Sequence, residues 1–358
     1  MFIVIGILAF GIIIAVHELG HFIAAKSIGV KVNEFAIGMG PKIFWKQGKE
    51  TLYTLRLLPF GGFCNMDNEK EDEDGEELSA RSFLAQSRVK RVIILAAGGV
   101  ANFIIAFLMV LLLTLGAEEF RGTTVVSVTD NFPEIGQSEI MAGDRIVAIN
   151  GERLFYRDDF SMFMNLNLTT GNPIFFTIER DGEQFDFERT PIIIDGEEHF
   201  RYGLVFERIE PSFTNNLQFA TYQTFNFIRM IRVSIMLMIS GDAALGDVAG
   251  PVRIISAMNE VGQQAPSFLI ALASIAQFAA FIGVNVAVVN LLPIPAMDGG
   301  RILFIVISWV SEKTTKRPIN QKYENYINLG AFVLLIGLMI LVMYNDIATL
   351  IMGSRGNG

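Results

Sequence analysis

Two of the three histidines in this 358-residue chain stand four positions apart, in His17-Glu18-Leu19-Gly20-His21. On a helix, residues i and i+4 share one face, so both imidazoles can reach a single metal ion. The intervening Glu18 lies beside that face and can take a proton from water. Zinc suits this donor set, because two His and one carboxylate leave a fourth position open for a water whose pKa falls to about 7. A third ligand is therefore required. Cys64 has the right chemistry, but a lone Cys is more often inert packing. His199 falls in a segment of soluble composition, far from the motif. Asp298 is the best candidate. It ends the run Asn290-Leu291-Leu292-Pro293-Ile294-Pro295-Ala296-Met297-Asp298-Gly299-Gly300, whose prolines and glycines suit a broken helix lining a polar cavity. The plain alternative for Asp298, capping the helix that follows, is compatible with ligation.

The elements around these residues are those of a membrane protein. The chain is 51% hydrophobic and only 18% charged, against about a quarter charged in soluble domains. A net charge of -9 excludes nucleic acid as the natural partner, and the single Cys excludes a disulfide scaffold. A span needs about 20 apolar residues. Four stretches qualify: Phe2–Ala25, broken only by the motif, then Val92–Ala117, Val261–Met297 and Asn325–Asn345. The first lacks a basic leader region and is expected to be retained rather than cleaved. Counting about 1.5 Å per residue, His17 lies roughly 23 Å along its helix, inside the hydrocarbon layer. Ionisable groups there are costly, which points to function.

Eleven Lys and Arg between Lys26 and Arg91, and four in the link between the last two spans, predict that both links are cytoplasmic. The termini and the region between spans two and three are then extracytoplasmic. Val30–Ile37, Pro41–Trp45 and Thr51–Leu58 read as short strands separated by Gly, an apolar hairpin region close enough to dip into the bilayer. The acidic run Asp67–Glu77 reads as a solvated connector. Thr124–Val128, Arg145–Ile149, Pro173–Glu179 and Phe185–Thr190 read as strands of a compact domain, with turns at Asn150-Gly151 and Asp181-Gly182. Its stretch Ala142–Glu152 looks like the signature of a bacterial PDZ domain. Residues 217–240 are too interrupted for a span and predict an amphipathic helix at the interface.

The motif in the first span, the NxxPxPxxDG pattern in a later one and the intervening PDZ insert together resemble the site-2 protease family of intramembrane zinc metalloproteases. The closest type is the bacterial enzyme that cleaves membrane-bound anti-sigma factors. The resemblance covers essentially the whole chain. It implies zinc held by His17, His21 and Asp298, with Glu18 as catalytic base. It further implies that Asn290 and the Gly61-Gly62-Phe63 edge hold the substrate as an extended strand, with Pro293 and Pro295 also among the contacts. Gly98–Phe103 looks like the family's GPxxNF element, with Gly99 in place of Pro, and Gly250-Pro251 resembles the segment before span three. Met297 stands where Leu is usual.

The expected fold is an α-helical membrane protein with four transmembrane helices, a membrane-associated β-hairpin region and one extracytoplasmic mixed α/β PDZ domain. Its expected divisions are a first span at 1–28, the hairpin region and acidic linker at 29–87, and a second span at 88–118. The PDZ domain follows at 119–210, interfacial helices at 211–260, the third span at 261–311, a cytoplasmic link at 312–324 and the fourth span at 325–350. Expected partners are single-span membrane proteins and the lipid bilayer, at the bacterial cytoplasmic membrane. The rival readings are a zinc transporter and a non-catalytic PDZ scaffold. Against the first stands the Glu within the motif and the lack of a His-rich loop; against the second, four costly polar groups kept in lipid.

Overall fold

A computed structural model describes residues 1–67, 79–128, 140–168, 173–189, 204–241, 250–316 and 321–355. The chain divides into two compact units, one of Met1–Val110 with Phe227–Gly358, the other of Leu111–Asn226. The acidic run beyond Asp67 and His199 lie outside the described residues.

In the first unit, helix α1 (Phe2–Ile28) ends where Gly29 adopts φ +92 and donates its N–H to the Ala25 and Lys26 carbonyls. That left-handed stop is one glycine takes without a Cβ penalty. Strands β1 (Val32–Gln47) and β2 (Leu52–Met66) follow. They are longer than the short runs read in the sequence, because Gly38, Gly40 and Gly61 take positive φ and bend the strands instead of ending them. The register resolves four segments. Residues 62–66 pair antiparallel with 32–37, whose 34–37 stretch also pairs with 52–55; residues 52–56 pair in turn with 42–47. Among the described residues, 62–66 is therefore an edge.

Helix α2 (Arg88–Thr114) packs closely on α1. A Cβ on Gly20 would lie 2.3 Å from the Ala97 carbonyl oxygen, so only glycine permits this approach. Helix α4 (Phe213–Ser240) starts within the second unit and runs into the first, followed there by α5 (Pro251–Gln264), α6 (Phe268–Leu291), α7 (Asp298–Thr315) and α8 (Gln321–Arg355). The apolar run starting at Val261 is thus divided, and its span begins at Phe268. Pro266 lacks an N–H, and the Ser267 hydroxyl caps the new helix by accepting from the Ile270 N–H at 3.3 Å. Among the described residues, four helices are long and apolar enough to cross a membrane: Phe2–Ile28, Arg88–Thr114, Phe268–Leu291 and Lys322–Ala348. Helix α4 is not among them.

Gly250, at the N-terminus of α5, donates its N–H to Asp346 of α8 at 3.3 Å, and Arg253 donates its own at 3.1 Å. A completely buried carboxylate from the last helix thereby caps another helix.

The second unit contains β3 (Phe120–Val128), β4 (Arg145–Ile149), β5 (Glu152–Arg153), α3 (Arg157–Leu168), β6 (Ile174–Arg180), β7 (Glu183–Arg189) and β8 (Leu204–Ile209). The sheet order is β7-β6-β4-β3-β8, with β5 paired to β4. Asn150-Gly151 and Asp181-Gly182 turn with positive φ at both positions, the backbone that hairpin turns demand. Strand β8 was not read from the sequence.

Asp144 organises this unit. It is buried, pairs bidentately with Arg180 at 2.7 and 2.8 Å, and accepts the Met141 N–H at 2.6 Å. Burial raises its pKa, but the Arg180 guanidinium and the Met141 N–H outweigh it and hold the carboxyl below its ordinary value. A depressed folded pKa contributes stability above the unfolded value, and that stability is lost as pH falls. Asp144→Ala is expected to destabilise the unit by about 2–3 kcal/mol near neutral pH. Trypsin susceptibility of this region in the full chain, followed against temperature, measures the loss. The gap between wild type and variant is expected to shrink on acidification.

Candidate metal centre

His17 and His21 occupy successive turns of α1 on the face packed against α2. The His17 Nε2 and His21 Nε2 atoms are 3.2 Å apart, and the Asp298 Oδ2 lies 3.2 Å from each. The rings stand nearly perpendicular, at 86°. The three ligand atoms form an equilateral triangle.

Each side chain is positioned by identifiable features. His21 Nδ1 lies 2.8 Å from the Ile94 carbonyl oxygen, which can only accept. The ring proton must sit on Nδ1, which leaves the Nε2 lone pair facing the centre. Gly98 of α2 lies directly against both rings: a Cβ there would come within 2.3 Å of His21 Nε2 and 2.8 Å of His17 Cε1. Asp298 opens α7, where the positive end of the helix favours a carboxylate. The chain reaches it through a turn folded tightly beneath that helix. Cβ atoms on Gly299 and Gly300 would meet the Leu292 and Ile294 carbonyl oxygens at 2.2 Å. Ala296 takes φ +72 in the same turn, and its N–H is held by Asn328 of α8 at 3.0 Å.

The triangle borders a cavity of about 820 Å³. Glu18 also lines it, and so do Asn290 and the strand Gly61–Met66, whose Gly62 has room for little more than hydrogen beside the Glu18 Cγ. Pro293 and Pro295 are not among the residues that line it. They lie in the turn beneath α7, where a Cβ on Gly300 would approach the Pro295 Cα within 2.9 Å. Cys64 lines the cavity from the sheet edge but does not join the metal-capable group, which among the described residues is His17, His21 and Asp298. Arg301, Asn33 and Asn65 line it as well and were not read from the sequence. Arg301 stands three residues after Asp298, a spacing that places both on one helix face and could have revealed it.

The donor set fits zinc. An ion held tetrahedrally at about 2.0–2.1 Å needs ligand atoms roughly 3.3 Å apart, which is the spacing of this triangle. Two imidazole nitrogens and one carboxylate oxygen are the ligands of a zinc hydrolase that keeps an open fourth position.

The class these features define is a metal-dependent hydrolase built on membrane-length helices. Comparison with known proteins makes it specific. The model for peptidase family M50 matches residues 5–338. A protein of Clostridium perfringens carrying a zinc-metalloprotease name is 36% identical over 351 residues, covering 97% of this chain and 98% of the relative. The regulator of sigma-W protease RasP of Bacillus subtilis is 27% identical, covering 96% and 97%. The zinc metalloprotease RasP of Geobacillus kaustophilus is 28% identical, covering 95% and 96%. The chain belongs to peptidase family M50, the site-2 protease family. It is a zinc metalloprotease.

Proposed function

We propose that His17, His21 and Asp298 hold the zinc, that Glu18 is the general base, and that the chain cleaves peptide bonds inside the transmembrane segments of single-span proteins at a bacterial cytoplasmic membrane. The 3.2 Å triangle, with two of its corners on a helix of spanning length, carries this reading. Zinc, when bound, polarises a scissile carbonyl and makes a neighbouring water easier to deprotonate. Glu18 takes the water's proton and returns it to the leaving amine. A substrate helix hides its carbonyls in its own i to i-4 bonds, so it must unwind first. The free edge at 62–66 replaces those bonds by pairing with the unwound strand, and Asn290, which lines the same cavity, anchors it. Gly61, Gly62 and Phe63 belong to that edge. The exposed Ile43, Phe44 and Trp45 support a sheet that dips into the bilayer.

The second unit supplies a PDZ domain over about 119–210. Its sheet, the helix α3 and the buried Asp144 of the signature stretch, paired with Arg180, support this reading. Placed on the extracytoplasmic side with both termini, it filters substrates, by excluding bulky ectodomains more than by binding a newly cut end. The charge of the two links supports that orientation. The sigma-W name of the Bacillus subtilis relative supports anti-sigma-factor-like substrates.

Purified protein in liposomes with a single-span reporter tests the proposal. Cleavage is expected to stop with 1,10-phenanthroline, to return with added zinc, and to map by mass spectrometry within the apolar span. Cleavage confined to the flanking segments would contradict it.

A further inference from the structure

Asn102 lies on α2, one turn beyond Gly98. It is completely buried, and neither its Oδ1 nor its Nδ2 has a hydrogen-bond partner among the described residues. The only other buried orphan belonging to the histidine pair is His17 Nδ1. An unpaired amide in apolar surroundings is costly, so both groups call for an explanation.

The packing of α1 on α2 brings them together. Contacts run antiparallel: His21 meets the Ile94 carbonyl, Gly20 meets Ala97 and Ala101, and His17 meets Gly98. The next position on that face of α2 is Asn102, opposite the turn that carries His17. Gly99 faces α6 at Ala287 and Leu291, and Gly283 of α6 lies near the Asn102 carbonyl. Asn102 thus stands at the seam between α1 and α6.

The two histidines have the same task and unequal support. His21 has a fixed acceptor for its Nδ1 proton, and among the described residues His17 Nδ1 has no direct partner. We infer that Asn102 is the positioning residue for His17. Its Oδ1 accepts the His17 Nδ1 proton through one buried water, which fixes the tautomer that turns Nε2 toward His21 and Asp298. A water bound there has the polar partners it needs, one donor from the ring and both ends of the amide. The inference rests on the reading of His17 as a zinc ligand.

Zinc affinity of the purified full-length protein, titrated against a chromophoric chelator, tests it. Outer partners of metal-bound His change metal affinity by about 10–100-fold. Asn102→Leu keeps the volume and removes the acceptor, so a loss in that range is expected. Asn102→Asp keeps an acceptor and is expected to retain most of the affinity. No loss in Asn102→Leu, or equal loss in both variants, would overturn the role. His17→Ala separates the two claims: if it binds zinc like wild type, the ligand reading itself fails. A variant that does not fold leaves the wild type informative. Labelling histidine with 15N reports only three imidazoles, and the His17 Nδ1 proton is expected to show a cross-peak to bound water. Its absence would equally overturn the inference.

Discussion

Glu18→Gln is expected to lower cleavage of a single-span substrate by about 10²–10⁴-fold, the range that a positioned general base contributes. The amide keeps the size of the carboxylate and loses its basicity. Its neighbours explain why little else should change. Glu18 lines the same cavity as the triangle but is not one of its corners. Zinc content is therefore expected to stay at the wild-type level, so that chemistry and metal binding separate in one variant. A kcat within a few-fold of wild type would remove Glu18 from the mechanism.

Gly98→Ala should be nearly as damaging, by a different route. The new Cβ would lie 2.3 Å from His21 Nε2, 2.7 Å from its Cε1 and 2.8 Å from His17 Cε1. These are stiff rings on a helix that Gly20 already holds against the α2 backbone, so neither side can retreat cheaply. One methyl group must displace two ligands together. Misplacement of about 1 Å costs on the order of 100-fold in rate, and zinc affinity should fall with it. Gly99→Ala is the contrast. Its Cβ would meet the Leu291 Cγ and Cδ1 at 3.0 Å and the Ala287 carbonyl oxygen at 3.3 Å, contacts on α6 that do not involve the ligands, and zinc is expected to remain. Equal behaviour of the two variants would show that the spacing at Gly98 does not matter.

The site was more legible in the sequence than the elements that surround it. Helical periodicity alone places His17 and His21 on one face, and the prolines before Asp298 and the glycines after it mark a broken helix in an apolar run. Both are local patterns. The role of Gly98 is not local, because it depends on how closely α1 and α2 approach, and that depends on Gly20. The sheet was legible only as β-prone runs. Glycine reads as punctuation in a sequence, whereas Gly38, Gly40 and Gly61 bend two continuous strands. The pairing of 34–37 with both flanking segments is a register, which residue types do not encode. Pro293 and Pro295 lie in the turn beneath α7, a placement that only packing reveals. The third span began seven residues later than its apolar run, at a Pro-Ser pair that stops one helix and caps the next.

The most direct measurement of the central claim is zinc stoichiometry in purified protein, wild type beside His17→Ala, His21→Ala and Asp298→Ala. About one zinc per chain is expected in the wild type, because three ligands from two separated segments define a single tetrahedral site with one position open. Near-total loss is expected in each variant, with folding verified by gel filtration. Full zinc occupancy in Asp298→Ala would contradict the account, since the triangle would then not be the metal site.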